Sequence, residues 1–309
     1  MAKMSQTFKE ILQIVVFLLV VGILALTLII YPLNRTKAFL ARPDSADFNP
    51  DTLPPNDISG LAELRAVVDT FRVDADGLTS LACVYLAPVS DSNAALSPKG
   101  TAILLHGDGQ DRNAMLPLSQ ALLDSGFAVC LYDQRASGRS TGRYYSDGEY
   151  EAADLSEVIA FLRIRDRAAS PFVIVGQRVG ADAALLEATA DQPPDGVVAV
   201  SPYITTDRWL NILMDEHDMY WIPFSHTVFM FWYELRSGYA PEGRHLENLR
   251  PPKCPTLILA SAAQLSDETM TAYTQLAKAD RIITETLPPD ADKLNERILA
   301  FVSSLAHSH

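Results

Sequence analysis

The residues able to do chemistry stand just after short apolar runs. His106, Gly107 and Asp108 follow Thr101–Leu105, and Gly176-Gln177-Arg178-Val179-Gly180 takes over from Phe172–Val175. Ser201 follows Gly196–Val200, Gln264 and Asp267 come after Thr256–Ala260, and Asp290 and Asp292 after Arg281–Thr286. Arg178 carries a guanidinium, which stays charged and is no nucleophile at accessible pH. At the start of a helix, where backbone amides point outward, a fixed cation makes an anion site. Burying it without a partner is too costly. The anion is therefore an outside carboxylate, phosphate or lipid headgroup, or it is an internal carboxylate. Asp290, Asp292 and Asp108 are the internal candidates, and internal pairing is the expectation adopted. Ser201 is a conceivable nucleophile, but no base is visible beside it and it reads as a turn residue.

The elements that must position these residues alternate along the chain. Ala66–Val73 and Leu81–Ala87 read as two strands joined by the turn Asp74-Ala75-Asp76-Gly77. Apolar runs at Thr101–Leu105, Phe127–Tyr132, Phe172–Val175, Gly196–Val200, Thr256–Ala260 and Arg281–Thr286 suit strands. Helical spacing marks 113–125, 150–164, 181–190, 268–277 and 292–305, with Glu151, Asp154 and Glu157 expected on the solvent face of the second. An antiparallel start followed by repeated βα units implies a mostly parallel sheet with helices on both faces. In such sheets ligands bind at the carboxyl ends of the strands, which is where these loops lie. Residues 202–250 break the alternation. They hold Trp209, Trp221 and Trp232 within a dense aromatic stretch and read as a short helical cap.

Four segments in this order resemble the α/β-hydrolase superfamily, especially its membrane-anchored branch of Bem46-like and ABHD-type serine hydrolases. They are Leu105-His106-Gly107-Asp108-Gly109, the stretch from Tyr132 to Ser140, Gly176–Gly180, and Cys254–Leu259. The resemblance spans roughly residues 66–305 and implies an eight-stranded α/β-hydrolase fold. It makes Gly176–Gly180 the nucleophile elbow G-x-S-x-G, with Arg178 in place of the serine and the Val179 amide in the oxyanion hole. It makes the His106-Gly107 element structural and gives Asp133 and Arg135 the task of stabilising neighbouring loops. The acid would follow the penultimate strand, where Gln264 stands; Asp267, three residues on, reads better as a helix cap. The base would lie in the loop ending Asp290-Ala291-Asp292, which contains no histidine, while His307 and His309 lie beyond the closing helix. A triad needs a nucleophile, a base and an orienting acid in hydrogen-bond reach. The degenerate positions Arg178, Gln264 and Asp292 supply none of the three.

Composition sets outer bounds. The 309 residues are 48% hydrophobic and carry a net charge of −13. That supports a sizeable core and argues against a nucleic-acid partner, which requires a basic surface. Cys83, Cys130 and Cys254 form neither a disulfide framework nor a zinc pattern, and no metal or cofactor is implied. Ile14–Tyr31 is uncharged over 18 residues. With Ile11 and Leu12 it approaches the roughly 20 needed to cross a bilayer. No small-residue cleavage site follows closely, so an uncleaved single-pass anchor over 11–31 is expected, after a tail at 1–10. Lys3 and Lys9 on one side balance Arg35, Lys37 and Arg42 on the other, which leaves the orientation open. Residues 32–60 read as an extended Pro/Asp/Asn-rich linker and 61–309 as the folded domain.

Three functions fit these residues. One is a membrane-anchored, catalytically inactive module that binds an anionic small molecule, a lipid or a membrane-protein partner through Arg178, Val179, His106, Gly107 and Asp108. Another is an active hydrolase of acyl substrates with an atypical site built from His106 with Ser201 or Asp108. The third is a structural subunit of a membrane complex.

Overall fold

The computed structural model describes residues 6–34, 61, 64–90, 94–216, 219, 225–238, 243–276 and 281–306. Most of the expected linker, residues 35–60, lies outside the described residues, as do Trp221, His307 and His309. The described residues form two compact units. One holds the sheet and its flanking helices. The other combines the N-terminal helix with the described residues between 210 and 240.

The sheet unit has eight strands in the order β1-β2-β4-β3-β5-β6-β7-β8. They are β1 Ala66–Asp74, β2 Ser80–Pro88, β3 Thr101–Leu105, β4 Ala128–Tyr132, β5 Phe172–Gln177, β6 Gly196–Val200, β7 Thr256–Ala260 and β8 Ile282–Thr286. The first two pair antiparallel across the expected turn, β2 runs antiparallel to β4, and all later pairs are parallel. Because β3 to β7 are buried on both faces, their sequences are continuous apolar runs rather than alternating ones.

Successive side chains in a strand point to opposite faces. Ile103 and Leu105 enter one core with Leu155, Val158 and Ala184, whereas Ala102 and Leu104 enter the other with Leu122 and Phe301. The further helices number in chain order after the N-terminal α1 (Gln6–Ala25). They are α2 Leu116–Asp124, α3 Glu149–Ile164, α4 Val179–Glu187, α5 Thr206–Glu216, α6 Ser225–Ser237, the single turn α7 Ala262–Leu265, α8 Glu268–Leu276 and α9 Ala291–Leu305. Helices α3, α4 and α8 cover the first face, and α2 and α9 the second. The helix expected over 113–125 starts as a 3-10 turn, Arg112–Met115, which Asp111 caps by accepting the Asn113 N–H.

One expectation for α3 is corrected. Of the three carboxylates expected on its solvent face, Glu157 is exposed, whereas Glu151 and Asp154 are buried. Glu151 accepts the backbone N–H groups of Ser146 and Gly148 at 2.8 and 3.1 Å, closing the turn into the helix. Asp154 forms a two-point pair with Arg135 at 2.7 and 2.5 Å. Both carboxylates are inside because polar partners wait for them there.

In the other unit, α1 passes through a π-helical turn, Leu26–Ile30, and the helical stretch runs to Asn34. This helix, Phe8–Asn34, has a mean hydropathy of 3.1 in its most apolar window, and none of that window is buried. It is long and apolar enough to cross a membrane.

Candidate functional site

Topology makes the site. The chain leaves β3 to form β4 on one side and returns to form β5 on the other, so β3 lies between them. At such a switch point the two loops diverge and leave a crevice. Leu105 pairs with Gly176, which starts His106 and Gln177 side by side at the strand ends.

Between β5 and α4 the chain turns within a single residue. Arg178 has φ 50° and ψ −116°, in the left-handed half of the map that side chains rarely enter. The flanking glycines allow it by close approach: a Cβ on Gly176 would collide with Gly180 O, and one on Gly180 would sit 2.6 Å from His106 O. The turn is pinned by Arg178 N donating to Val200 O at 2.9 Å and by Asp182 N donating to Arg178 O at 3.1 Å.

The Arg178 side chain lies over Gly107 and meets Asp108. Its Nε reaches the Asp108 oxygens at 3.1 and 3.0 Å, and Nη2 reaches Oδ2 at 2.9 Å. The same carboxylate accepts the Val179 N–H at 3.4 Å and the Tyr203 hydroxyl at 3.2 Å. The guanidinium also stands over the Tyr203 ring, 5.3 Å from its centroid. Asp108 is 7% exposed and Arg178 35%, so the anion is inside and the cation partly covers it. The neighbouring Gly107 N–H is satisfied by Gln110 Oε1 at 3.0 Å. Both amides are thus engaged by side chains of the loop after β3.

The other named residues are placed as follows. His106 is buried; its Nδ1 donates to Gly107 O at 2.8 Å, while Nε2 accepts the Gln134 N–H at 3.0 Å. A ring that accepts at Nε2 is neutral, and burial holds its pKa below the ordinary 6.5. With both nitrogens bonded to backbone, His106 has no nitrogen left to serve as a base for Ser201. Ser201, at φ 51°, donates its own N–H to Leu259 O at 2.7 Å. Gln264 completes a capping box on α7, its Oε1 accepting the Ser261 N–H at 3.0 Å. Asp267 accepts the Thr269 N–H at 2.9 Å at the start of α8. Asp290 caps α9 through the Lys293 N–H at 2.8 Å, and Asp292 is exposed in the first turn of that helix. Of the three carboxylates considered as internal partners, Asp108 is the one that reaches Arg178.

Tyr203, the residue the sequence reading missed, enters through the loop after β6. Its N–H and that of Ile204 bind the two oxygens of Asp182 at 3.0 and 2.7 Å, and Arg244 pairs with Asp182 at 2.8 Å. The available signal was position alone, since the loop after β6 borders the crevice. Around the site, Asp133 accepts the N–H groups of Arg112 and Arg139, both at 2.9 Å, which gives it the loop-stabilising contacts expected of it. The cysteines offer no nucleophile. All three are buried, and burial pushes the Cys130 thiol up to about 12 and Cys254 to about 11.

The fold has known counterparts. The family model "Serine aminopeptidase, S33" matches residues 96–227, a span that includes the elbow. The uncharacterized protein YqkD of Bacillus subtilis (strain 168) is 32% identical over 142 residues, 45% of this chain and 46% of that protein, so the match covers about half of that relative. An esterase of Pyrococcus furiosus has a TM-score of 0.60 at 20% identity, covering 86% of this chain and 98% of that one. Proline iminopeptidase of Mycobacterium smegmatis has a TM-score of 0.55 at 11% identity, over 78% of this chain and 99% of that one. The chain has the α/β-hydrolase fold, with Arg178 at the turn between β5 and α4.

Proposed function

We propose that this chain is a catalytically inactive α/β-hydrolase-fold protein, held at a membrane by its N-terminal helix as a single-pass anchor, that acts by binding a ligand or a partner protein rather than by turnover. The observation that carries this reading is the Asp108 carboxylate. It lies against the Val179 N–H and the Arg178 guanidinium, at the elbow where a reacting acyl group would place its developing oxyanion. An internal carboxylate there satisfies the donors and repels a substrate oxyanion. The same reading assigns the chain to the membrane-anchored, Bem46-like branch of its fold. With Asp108 seated there, a small carboxylate, a phosphate or a lipid headgroup finds the elbow's donors already engaged.

The test is reaction with short-chain aryl esters and with a fluorophosphonate probe, using the full chain in mild detergent. Neither turnover above a heat-killed control nor covalent labelling is expected. Arg178→Ser should restore neither, because Gln264 is a helix cap and no histidine stands in the last loop. Wild-type turnover that disappears on substituting one residue of the crevice would overturn the proposal.

A further inference from the structure

The unit built around α1 holds an apolar surface that the elbow chemistry leaves unused. Leu28 lies four residues before Pro32. Proline has no N–H, so the α-helical donor to the Leu28 carbonyl is missing. Trp232 of α6 supplies one, its Nε1 donating to Leu28 O at 3.1 Å. This fixes α6 against the C-terminal end of the apolar helix. Leu28 is three residues before Tyr31, where the apolar run Ile14–Tyr31 gives way to Pro32-Leu33-Asn34-Arg35. At about 1.5 Å of rise per residue, that places it within about 5 Å of the end of the run. Tryptophan favours this level of a bilayer, where its ring is apolar and its N–H still finds a partner.

Helix α6 is turned so that Phe229 and Tyr233 are buried, each 1% exposed. Phe231 and Leu235, one helical turn apart on another face, are 58% and 65% exposed. The local sequence SHTVFMFWYELRS carries one acidic and one basic residue besides His226, so charge attraction to anionic lipid is not its basis. We infer that α6 lies in the headgroup layer where the N-terminal helix leaves the bilayer, with Phe231 and Leu235 inserted into the lipid. This rests on the reading of the N-terminal helix as a membrane anchor.

The test uses the full chain reconstituted in phosphatidylcholine vesicles containing nitroxide-labelled lipid. A polarity-sensitive fluorophore is attached in turn to Phe231→Cys, Leu235→Cys, Leu18→Cys and Leu78→Cys; the three native cysteines are buried. Leu18 reports the anchor, and Leu78, 89% exposed on the turn between β1 and β2, reports the sheet unit. Labels at Phe231 and Leu235 should lose most of their emission to nitroxides near the headgroups, Leu18 to nitroxides deep in the chains, and Leu78 to neither. Adding Trp232→Phe should relieve the quenching at Phe231 while leaving that at Leu18. Quenching at Leu18 with none at Phe231 and Leu235 would overturn the inference and leave the anchor standing. Equal quenching at Phe231 and Leu78 would overturn it as adsorption of the whole chain. No quenching at Leu18 would remove the anchor, and the inference with it.

Discussion

Arg178 and Asp108 meet through three nitrogen–oxygen contacts of 2.9 to 3.1 Å, one partner nearly buried and the other a third exposed. Removing one member of a wholly buried pair costs about 3–5 kcal/mol. Here water reaches the guanidinium, and Asp108 keeps the Tyr203 hydroxyl and Val179 N–H. The loss on Arg178→Ala should therefore be about 1.5–3 kcal/mol, the range for a charged hydrogen bond, measured by urea unfolding. His106 gives a second prediction. Its folded pKa lies below 6.5, so the unfolded chain takes up the proton first, and stability falls as pH drops below 6.5. Asp154, raised by burial from 3.8 to about 6 despite its pairing with Arg135, acts oppositely: the folded chain takes up that proton first and gains stability as pH falls through 6 towards 3.8. The histidine contribution is read by difference, and His106→Gln should flatten the decline between pH 7 and 5.5. Wild-type and variant curves that stay parallel would show that His106 is not held neutral. At this scale the sequence showed that Arg178 needs an anion. It could not show which one, because Asp108 lies 70 positions away and Tyr203 enters from a third loop.

The turn between β5 and α4 was expected from the resemblance to the α/β hydrolases, carried at this place by Gly176 and Gly180. Those glycines stand where the chain passes closest to itself, so Gly180→Ala pushes α4 away from Leu105 and His106. Overpacking of this kind costs typically about 1–3 kcal/mol, visible as a lowered Tm; an unchanged Tm would mean that the helix can slide away from β3. Strands β3 to β7 were also legible, because a strand covered on both faces must be apolar throughout. The charged face of α3 was misread for a physical reason. Helical spacing treats a carboxylate as a solvent residue, and nothing local reveals that Arg135, 19 positions earlier, waits inside for Asp154. Both partners are 1% exposed, so Arg135→Ala should cost about 3–5 kcal/mol. In Arg135→Ala the Asp154→Asn change should recover part of that loss, since it removes the orphaned charge.

For the whole molecule, two parts were legible in the sequence, an apolar helix and an α/β domain, but not the grouping of residues between 210 and 240 with that helix. One contact within that grouping is the Trp232 bond to the Leu28 carbonyl, which no periodicity exposes. A chain starting at Leu61 retains both cores of the sheet unit and should unfold cooperatively. Its α6 has lost the helix it bonds to, so hydrogen exchange should be fast over Ser225–Ser237 and slow over β3 to β7. Equal protection of α6 with and without α1 would contradict this division. The central claim is that the fold's anion site is filled from within, and a phosphate titration followed by Tm tests it most directly. The full chain should show no saturable rise, whereas Asp108→Ala, which frees Arg178 and the Val179 amide, should show one. A saturable rise of the same size in the wild type would contradict the account, because it would mean that the site stands open.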